Sequence, residues 1–318
     1  MPRSRLRQNM LLLKAVVFGL PILAILVALR LALPGLKQQY DLTRFSSDAI
    51  EVERTHFRLY TRHEATWGHQ LADGIESFFV AFLEENGARF QLEVGEEKAL
   101  VYAFSSKEEL EKWSKREFHD PMVNNGGFYS PGKREIGIIA HGHDLEEDLS
   151  SAYHEAVHMA FDIGLGPNPS TELSTWLNEG LAVYFGDGVI RSDRSYSWGS
   201  CSPPEVRRLV VAVSEAIDAN ESKPLLRRVL AADMKAFTSE GNTFYYGAGY
   251  LLVHFLMAGE DGVHRNRFLE FYELERTKGS QSGRPEIFHR KIGLDAEELE
   301  RRWRRYVQQL ARALVVGR

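Results

Sequence analysis

One short segment of the chain has two histidines and a glutamate at the spacing of a metal-dependent hydrolytic site. His154, Glu155 and His158 form an H-E-x-x-H motif. Histidines four residues apart leave the same face of an α-helix, one turn from each other, so their ring nitrogens can reach one Zn²⁺ ion. Glu155 lies one position further round the helix, where its carboxylate could hold and deprotonate a water on the metal. The pattern is also compatible with an amphipathic helix that has two histidines on its polar side.

The residues around the motif predict the helix that it requires. Residues 144–149 contribute several carboxylates, which suit a helix N-terminus. Gly164, Gly166 and Pro167 predict where the helix ends. Between them, apolar residues recur at roughly helical intervals: Leu149, Ala152, Ala156, Val157, Ala160 and Phe161.

A second predicted helix, over residues 176–185, offers a third metal ligand. Ser170, Thr171 or Ser174 could cap its N-terminus. Its apolar surface includes one carboxylate, Glu179, and a zinc site with two histidines needs a third protein ligand. The small residues at 180 and 182 would let this helix approach the histidine helix closely. The alternative is that Glu179 is an ordinary surface carboxylate.

Together these two segments resemble the gluzincin metallopeptidases. Glu179 follows His158 by 179 − 158 = 21 positions, in an N-E-G-x-A context. Residues 176–185 have the pattern Trp-Leu-x-Glu-Gly-x-Ala-x-Tyr-Phe, which is most similar to bacterial domains called peptidase MA-like. The resemblance extends from about residue 50 to the C-terminus, although only these two helices have it strongly. It implies that His154, His158 and Glu179 bind zinc and that Glu155 is the general base.

The chain departs from the gluzincin pattern in two places. Some gluzincins have an acidic residue four positions after the ligand glutamate, which orients a zinc histidine, whereas this chain has Val183 there. Zinc histidines usually have such a partner, so Asp187 or a backbone carbonyl is expected to replace it. The G-x-M-E-N signature of the aminopeptidase branch is absent, which argues against an enzyme that grips a free amino terminus.

The order of predicted elements indicates an α+β fold. A small mixed sheet should pack against zinc-binding helices in a zincin-like arrangement over residues 50–190. A mostly helical C-terminal subdomain should follow over residues 191–318. In the first part we predict a strand over 50–61, a helix over 63–85, a strand over 99–104, a helix over 107–117 and a hairpin over 127–140. In the second part we predict helices over 206–219, 225–232, 243–257, 265–278 and 296–314.

Several other residues could contribute to the chemistry. Tyr246, at the start of a predicted helix, could stabilise the oxyanion that forms when a peptide bond is hydrolysed, although paired aromatics at a helix start more often pack. His254 lies on the apolar face of that helix and is more typical of a core histidine. His141 and His143 could line a substrate groove, but exposed loop histidines are more common. The strand at 135–140 could pair with an extended peptide substrate.

Charge and cysteine content exclude several classes of protein. The net charge of −5 gives no basic excess to suggest nucleic-acid binding. The one cysteine, Cys201, permits neither an intramolecular disulfide nor a cysteine zinc cluster.

The N-terminus predicts attachment to a membrane. Arg3, Arg5, Arg7 and Lys14 precede an uncharged apolar run over residues 15–29. We interpret residues 1–36 as a transmembrane anchor with a cytoplasmic N-terminus, and residues 37–49 as a tether. A cleaved signal peptide is the competing interpretation, but no convincing cleavage site precedes Lys37.

The expected function is that of a membrane-anchored zinc metallopeptidase whose catalytic domain lies outside the cytoplasm and acts on a peptide or protein substrate. Two alternatives remain: a zinc hydrolase of a non-peptide cell-wall amide, and an inactive membrane-tethered binding or scaffolding protein. The sequence does not indicate the substrate or the oligomeric state.

Overall fold

The computed structural model describes residue 45 and residues 48–118, 126–165, 172–192, 195–220, 223–239, 242–281 and 284–316. The elements below belong to a compact unit that begins at Ile50. The predicted anchor and nearly all of the predicted tether lie outside the described residues. Within the described residues, no helix is both long enough and apolar enough to cross a membrane.

A mixed sheet forms the first layer of the unit. Five strands of the described chain make it: β1 (Ile50–Glu53), β2 (Phe57–Thr61), β3 (Ala99–Phe104), β4 (Gly127–Ser130) and β5 (Glu135–Ile139). Their order is β1-β2-β3-β5-β4, with β2, β3 and β5 parallel and the two outer strands antiparallel to their neighbours. Every residue of the central strand β3 is buried, as expected for a parallel strand covered on both faces.

The first strand prediction needs correction. Residues 50–61 are two antiparallel strands rather than one, because the chain turns at 54–56, where Arg54 N–H donates to Phe57 O at 2.8 Å. The other strand predictions agree with the structure to within a residue at each end.

Three helices accompany the sheet. They are α1 (Ala65–Phe90), α2 (Lys107–Phe118) and α3 (Leu145–Gly164), and α3 contains the H-E-x-x-H motif. Helix α1 continues past its predicted end because Phe90 packs edge-on against Phe161 of α3, at 5.2 Å between ring centroids. The chain leaves α1 at Gln91, whose φ of 53° ends the helix in the left-handed region.

The C-terminal part is mostly helical, as predicted. Helix α4 (Thr175–Ala182) continues into a π-helical turn (Val183–Asp187) and then a small ribbon of β6 (Ile190–Ser192) and β7 (Ser195–Ser197). The helices that follow are α5 (Pro204–Asp218), α6 (Leu225–Leu230), α7 (Met234–Thr238), α8 (Asn242–Ala258), α9 (Arg265–Lys278), α10 (Pro285–Ile292) and α11 (Ala296–Val316). The ribbon, α7 and α10 were not predicted from the sequence, because each is too short to show a clear period of apolar residues.

Helix α8 is the core of this part and fixes the position of α4. A Cβ on Gly180 of α4 would lie 2.6 Å from the backbone oxygen of Gly249 on α8, so the absence of side chains permits the contact. The prediction that Gly180 brings α4 close to the histidine helix is therefore wrong. Gly180 sets the approach of α4 to α8.

Candidate metal centre

Helix α3 is held at its N-terminus by two aspartates. Asp144 caps it, and one carboxylate oxygen accepts from the backbone N–H groups of Glu146 and Glu147. Asp148, almost fully buried, accepts from the backbone N–H groups of His141 and Gly142. These bonds anchor the loop between β5 and α3 and so fix where the motif begins. The predicted apolar residues of α3 are buried in the core.

The two histidines of the motif and Glu179 lie together, as predicted. The Nε2 atoms of His154 and His158 are each 3.5 Å from Oε2 of Glu179. Zinc bonds of about 2.0–2.1 Å in tetrahedral geometry place ligand atoms roughly 3.4 Å apart, which agrees with these distances. One ligand atom from each of the three residues lies within 4.8 Å of the others. This group could hold a metal ion.

Asp187 is the partner of His154. Its Oδ2 lies 3.0 Å from Nδ1 of His154, so the nitrogen facing away from Glu179 is held by a carboxylate. Such an arrangement fixes the tautomer that leaves Nε2 free for a metal. The structure thus places the aspartate at the position expected from sequence, rather than a backbone carbonyl.

The π-helical turn explains how a residue eight positions after Glu179 reaches this place. In a regular α-helix, position 187 would be rotated by about 80° from position 179. The π-turn, whose Gly188 N–H donates to Val183 O five residues back at 2.6 Å, rotates Asp187 back toward the histidine helix. Gly186 makes this approach possible, since a Cβ there would lie 2.6 Å from the Cα of His154.

His158 differs from His154 in its outer contacts. Its Nδ1 is buried and has no hydrogen-bond partner among the described residues. Its ring lies edge-on to that of His154, with 4.9 Å between centroids. On its Nδ1 side, His158 is therefore held by α3 and by packing rather than by a carboxylate in the described part of the chain.

Glu155 lies beside the cluster and is 7% exposed. Its carboxylate accepts no hydrogen bond from the described residues. A Cβ on Gly127 of β4 would come within 3.1 Å of its Oε1 atom, so the glycine leaves room for the carboxylate against the strand. A buried carboxylate without a partner is costly, and it indicates that a ligand or water completes its surroundings.

The electrostatics of the site favour the binding of a cation. Burial raises the pKa of Glu155, and burial would also raise that of Glu179, but His158 and His154 lower the pKa of Glu179 to about 2. Burial lowers the pKa of His154, yet the charge and hydrogen bond of Asp187 more than offset it and leave that pKa well above its ordinary value. Three carboxylates around two imidazoles attract a cation strongly.

The cluster opens into a cleft of about 2760 Å³. Tyr246 of α8 lines it, half-buried, with its ring edge-on to Phe237 at 5.2 Å between centroids. Tyr246 therefore lines the cleft, as a donor to the oxyanion must, and also packs against a neighbouring ring, as the alternative interpretation expects. His254 is half-buried, and its Nδ1 lies 2.7 Å from the Tyr306 hydroxyl oxygen, so its ring has the hydrogen-bond partner that the prediction of a satisfied core histidine requires.

The prediction that the strand at 135–140 could pair with an extended peptide substrate needs correction. Strand β5 lies between β3 and β4, so neither of its edges is open to a substrate. The outer strand on this side is β4, and residues 127–129 of β4 line the cleft. His141 and His143 are exposed in the loop before α3 and are not among the residues that line this cleft.

One cleft pair was missed from sequence. The Tyr129 hydroxyl of β4 donates to Oδ2 of Asp162 on α3 at 2.8 Å. Asp162 follows His158 by one helical turn, and that spacing was the available signal. No sequence pattern pointed to Tyr129.

The comparison with known families covers this part of the chain. A family described as a protein of unknown function, DUF1570, matches residues 148–278. The matched range contains the three possible metal ligands together with Glu155, Asp187 and Tyr246. No curated protein matches the chain.

Proposed function

We propose that this protein is a zinc-dependent peptidase of the gluzincin type, with zinc held by His154, His158 and Glu179. The observation that carries the proposal is the convergence of these three side chains beside Glu155, a buried carboxylate with no hydrogen bond in the described structure. Three protein ligands leave an open coordination position, which is typical of catalytic rather than structural zinc sites.

The donor set supports zinc as the ion. Two imidazole nitrogens and one carboxylate oxygen are ligands that zinc accepts readily, and the spacing of 3.5 Å between donors suits a tetrahedral ion. When bound, the metal would supply Lewis-acid polarisation of the scissile carbonyl and would acidify a water. Asp187 would hold the ring of His154 in the orientation that directs Nε2 at the metal.

Glu155 has the surroundings of a general base. We propose that it takes a proton from the attacking water and passes it to the leaving amine. Burial raises the pKa of Glu155, which brings it closer to neutral pH, where a base transfers protons most effectively. Tyr246, which also lines the cleft, is proposed to donate to the oxyanion.

Strand β4 is the proposed support for an extended peptide. It is the outer strand of the sheet on the cleft side, and Gly127 lies against Glu155. A peptide paired with β4 would pass close to the base and the metal ligands, in the manner of an added strand.

We also propose that residues 1–36 anchor the protein in a membrane, with the unit that begins at Ile50 outside the cytoplasm. The support is the basic flank followed by the apolar run in the sequence.

The proposed activity is tested with the purified protein, with and without a chelator, against a mixed peptide library and against cell-wall fragments. Hydrolysis of peptides that stops with chelator and returns with zinc is the expected result. Cleavage of only cell-wall amides would replace the peptidase with a different zinc hydrolase. Stoichiometric zinc without any hydrolysis would indicate a binding or scaffolding role.

A further inference from the structure

The cleft around the proposed metal centre has an excess of unpaired negative charge. Apart from the site residues Glu155, Glu179 and Asp187, six acidic side chains that line the cleft have no ion-pair partner among the described residues. They are Glu93, Asp144, Glu146, Glu147, Asp162 and Glu172.

The arginines of the cleft compensate only part of this charge, although the charge of Arg134 acts on Asp162 and that of Arg276 on Glu93. Arg134 pairs with Glu97, Arg208 with Glu205, and Arg276 with Glu273. The remaining arginine of the lining, Arg191, is exposed. A cleft lined mainly by one sign of charge concentrates ligands of the opposite sign.

The unpaired acids lie on both sides of the proposed metal ligands. Glu147 is in the first turn of α3, seven residues before His154, or about 10 Å along the helix axis. Asp162 is four residues after His158, or about 6 Å along the same axis. A chain bound across the centre would meet negative charge on either side of it.

Asp162 is the best placed of the six to contact a side chain close to the reacting bond. It is half-buried, and the Tyr129 hydroxyl holds its Oδ2 atom in place. Its Oδ1 atom makes no hydrogen bond within the described residues. A carboxylate fixed through one oxygen, with the other open to a cleft, suits a lysine or arginine side chain.

A separate observation points to a ligand in the cleft. Glu155 is more than nine-tenths buried and lines the cleft, and its carboxylate has no hydrogen bond in the described part of the structure. A ligand or water in the cleft would supply the missing partner.

We propose that the cleft takes peptide segments rich in lysine and arginine, and that Asp162 contacts a basic side chain within about two residues of the scissile bond, given about 3.3 Å per residue of extended chain. This substrate class rests on the proposed peptidase function. Asp162 acts here as a specificity residue that touches substrate and not as part of the hydrolytic step.

The test measures peptide binding separately from hydrolysis. The full chain with Glu155→Gln is titrated with three short synthetic peptides of one length, containing lysine, glutamine or glutamate at the same positions. The lysine peptide should bind most tightly and the glutamate peptide most weakly, and added salt should reduce the difference. The substitution Asp162→Asn in the same background should weaken lysine-peptide binding about five- to tenfold.

Glu205→Gln is the matched control, because Glu205 also lines the cleft but is already paired with Arg208. It should change lysine-peptide affinity by less than about twofold. Equal binding of the three peptides, or equal effects of Asp162→Asn and Glu205→Gln, would overturn the inference. Selective binding of the lysine peptide by a protein that hydrolyses no peptide would support the preference of the cleft for basic peptides and refute the peptidase proposal.

Discussion

Removal of the Asp187 carboxylate should weaken metal binding without removing a metal ligand. Asp187 lies 3.0 Å from Nδ1 of His154, and that ring is 15% exposed. A hydrogen bond with a charged partner contributes about 1.5–3 kcal/mol, and loss of a partner behind a ligand histidine typically costs 10- to 100-fold in metal affinity. We therefore expect Asp187→Ala to raise the zinc dissociation constant by about 10- to 100-fold.

Two further variants separate orientation from charge and from general damage. Asp187→Asn keeps an oxygen acceptor for the ring N–H but loses the charge, so its affinity should lie between those of wild type and Asp187→Ala. Asp218→Ala removes an exposed aspartate of α5 whose side chain accepts from Gln308 and does not line the cleft. It should leave the affinity for zinc unchanged.

The assay is competition for zinc against a chromophoric chelator, at one pH and one ionic strength for all variants. Circular dichroism of each metal-free variant reports whether the fold is intact. An affinity for Asp187→Ala within twofold of wild type, in a folded protein, would show that Asp187 does not position His154 for a metal.

Three further predictions concern packing, burial and pH. Gly186→Ala places a Cβ 2.6 Å from the Cα of His154, so unfolding in urea should show a loss of about 1–3 kcal/mol, whereas Gly132→Ala, with no atom within 4 Å of its Cβ, should be neutral. Glu275→Ala removes the acceptor of three hydrogen bonds, two from Ser174 and one from the backbone of Gln281, and should lower the free energy of unfolding by more than about 1 kcal/mol, whereas Glu270→Ala on the exposed side of α9 should not. Burial lowers the pKa of His154, but Asp187 raises it by a larger amount, so protons should displace zinc as the pH falls from about 7 to 5. A zinc occupancy that stays constant over this range would contradict the proposed metal site.

The metal ligands could be predicted from sequence because regular helices set their geometry. The spacing of His154 and His158 fixes their common face on any α-helix, and the apolar period of α3 shows which side is buried. Glu179 could be predicted because its helix also has an apolar period and because residues 176–185 resemble the corresponding helix of gluzincins.

The remaining features depend on irregular or long-range structure. Asp187 reaches His154 only through a π-turn, which no simple period predicts. The role of Gly180 was assigned to the wrong neighbour, because sequence shows that two helices can approach but not which two. The strand beside the cleft is β4 and not β5, since strand order is set by the chain crossing over from β3.

The most direct test of the proposed function compares wild type with Glu155→Gln after both have been loaded with zinc and their metal content measured. Glu155 is not a ligand, so the variant should retain zinc at the same stoichiometry. Removal of the general base should reduce peptide hydrolysis by about 10²- to 10⁴-fold. Near wild-type hydrolysis by a zinc-loaded, folded Glu155→Gln protein would contradict the assignment of Glu155 as the base.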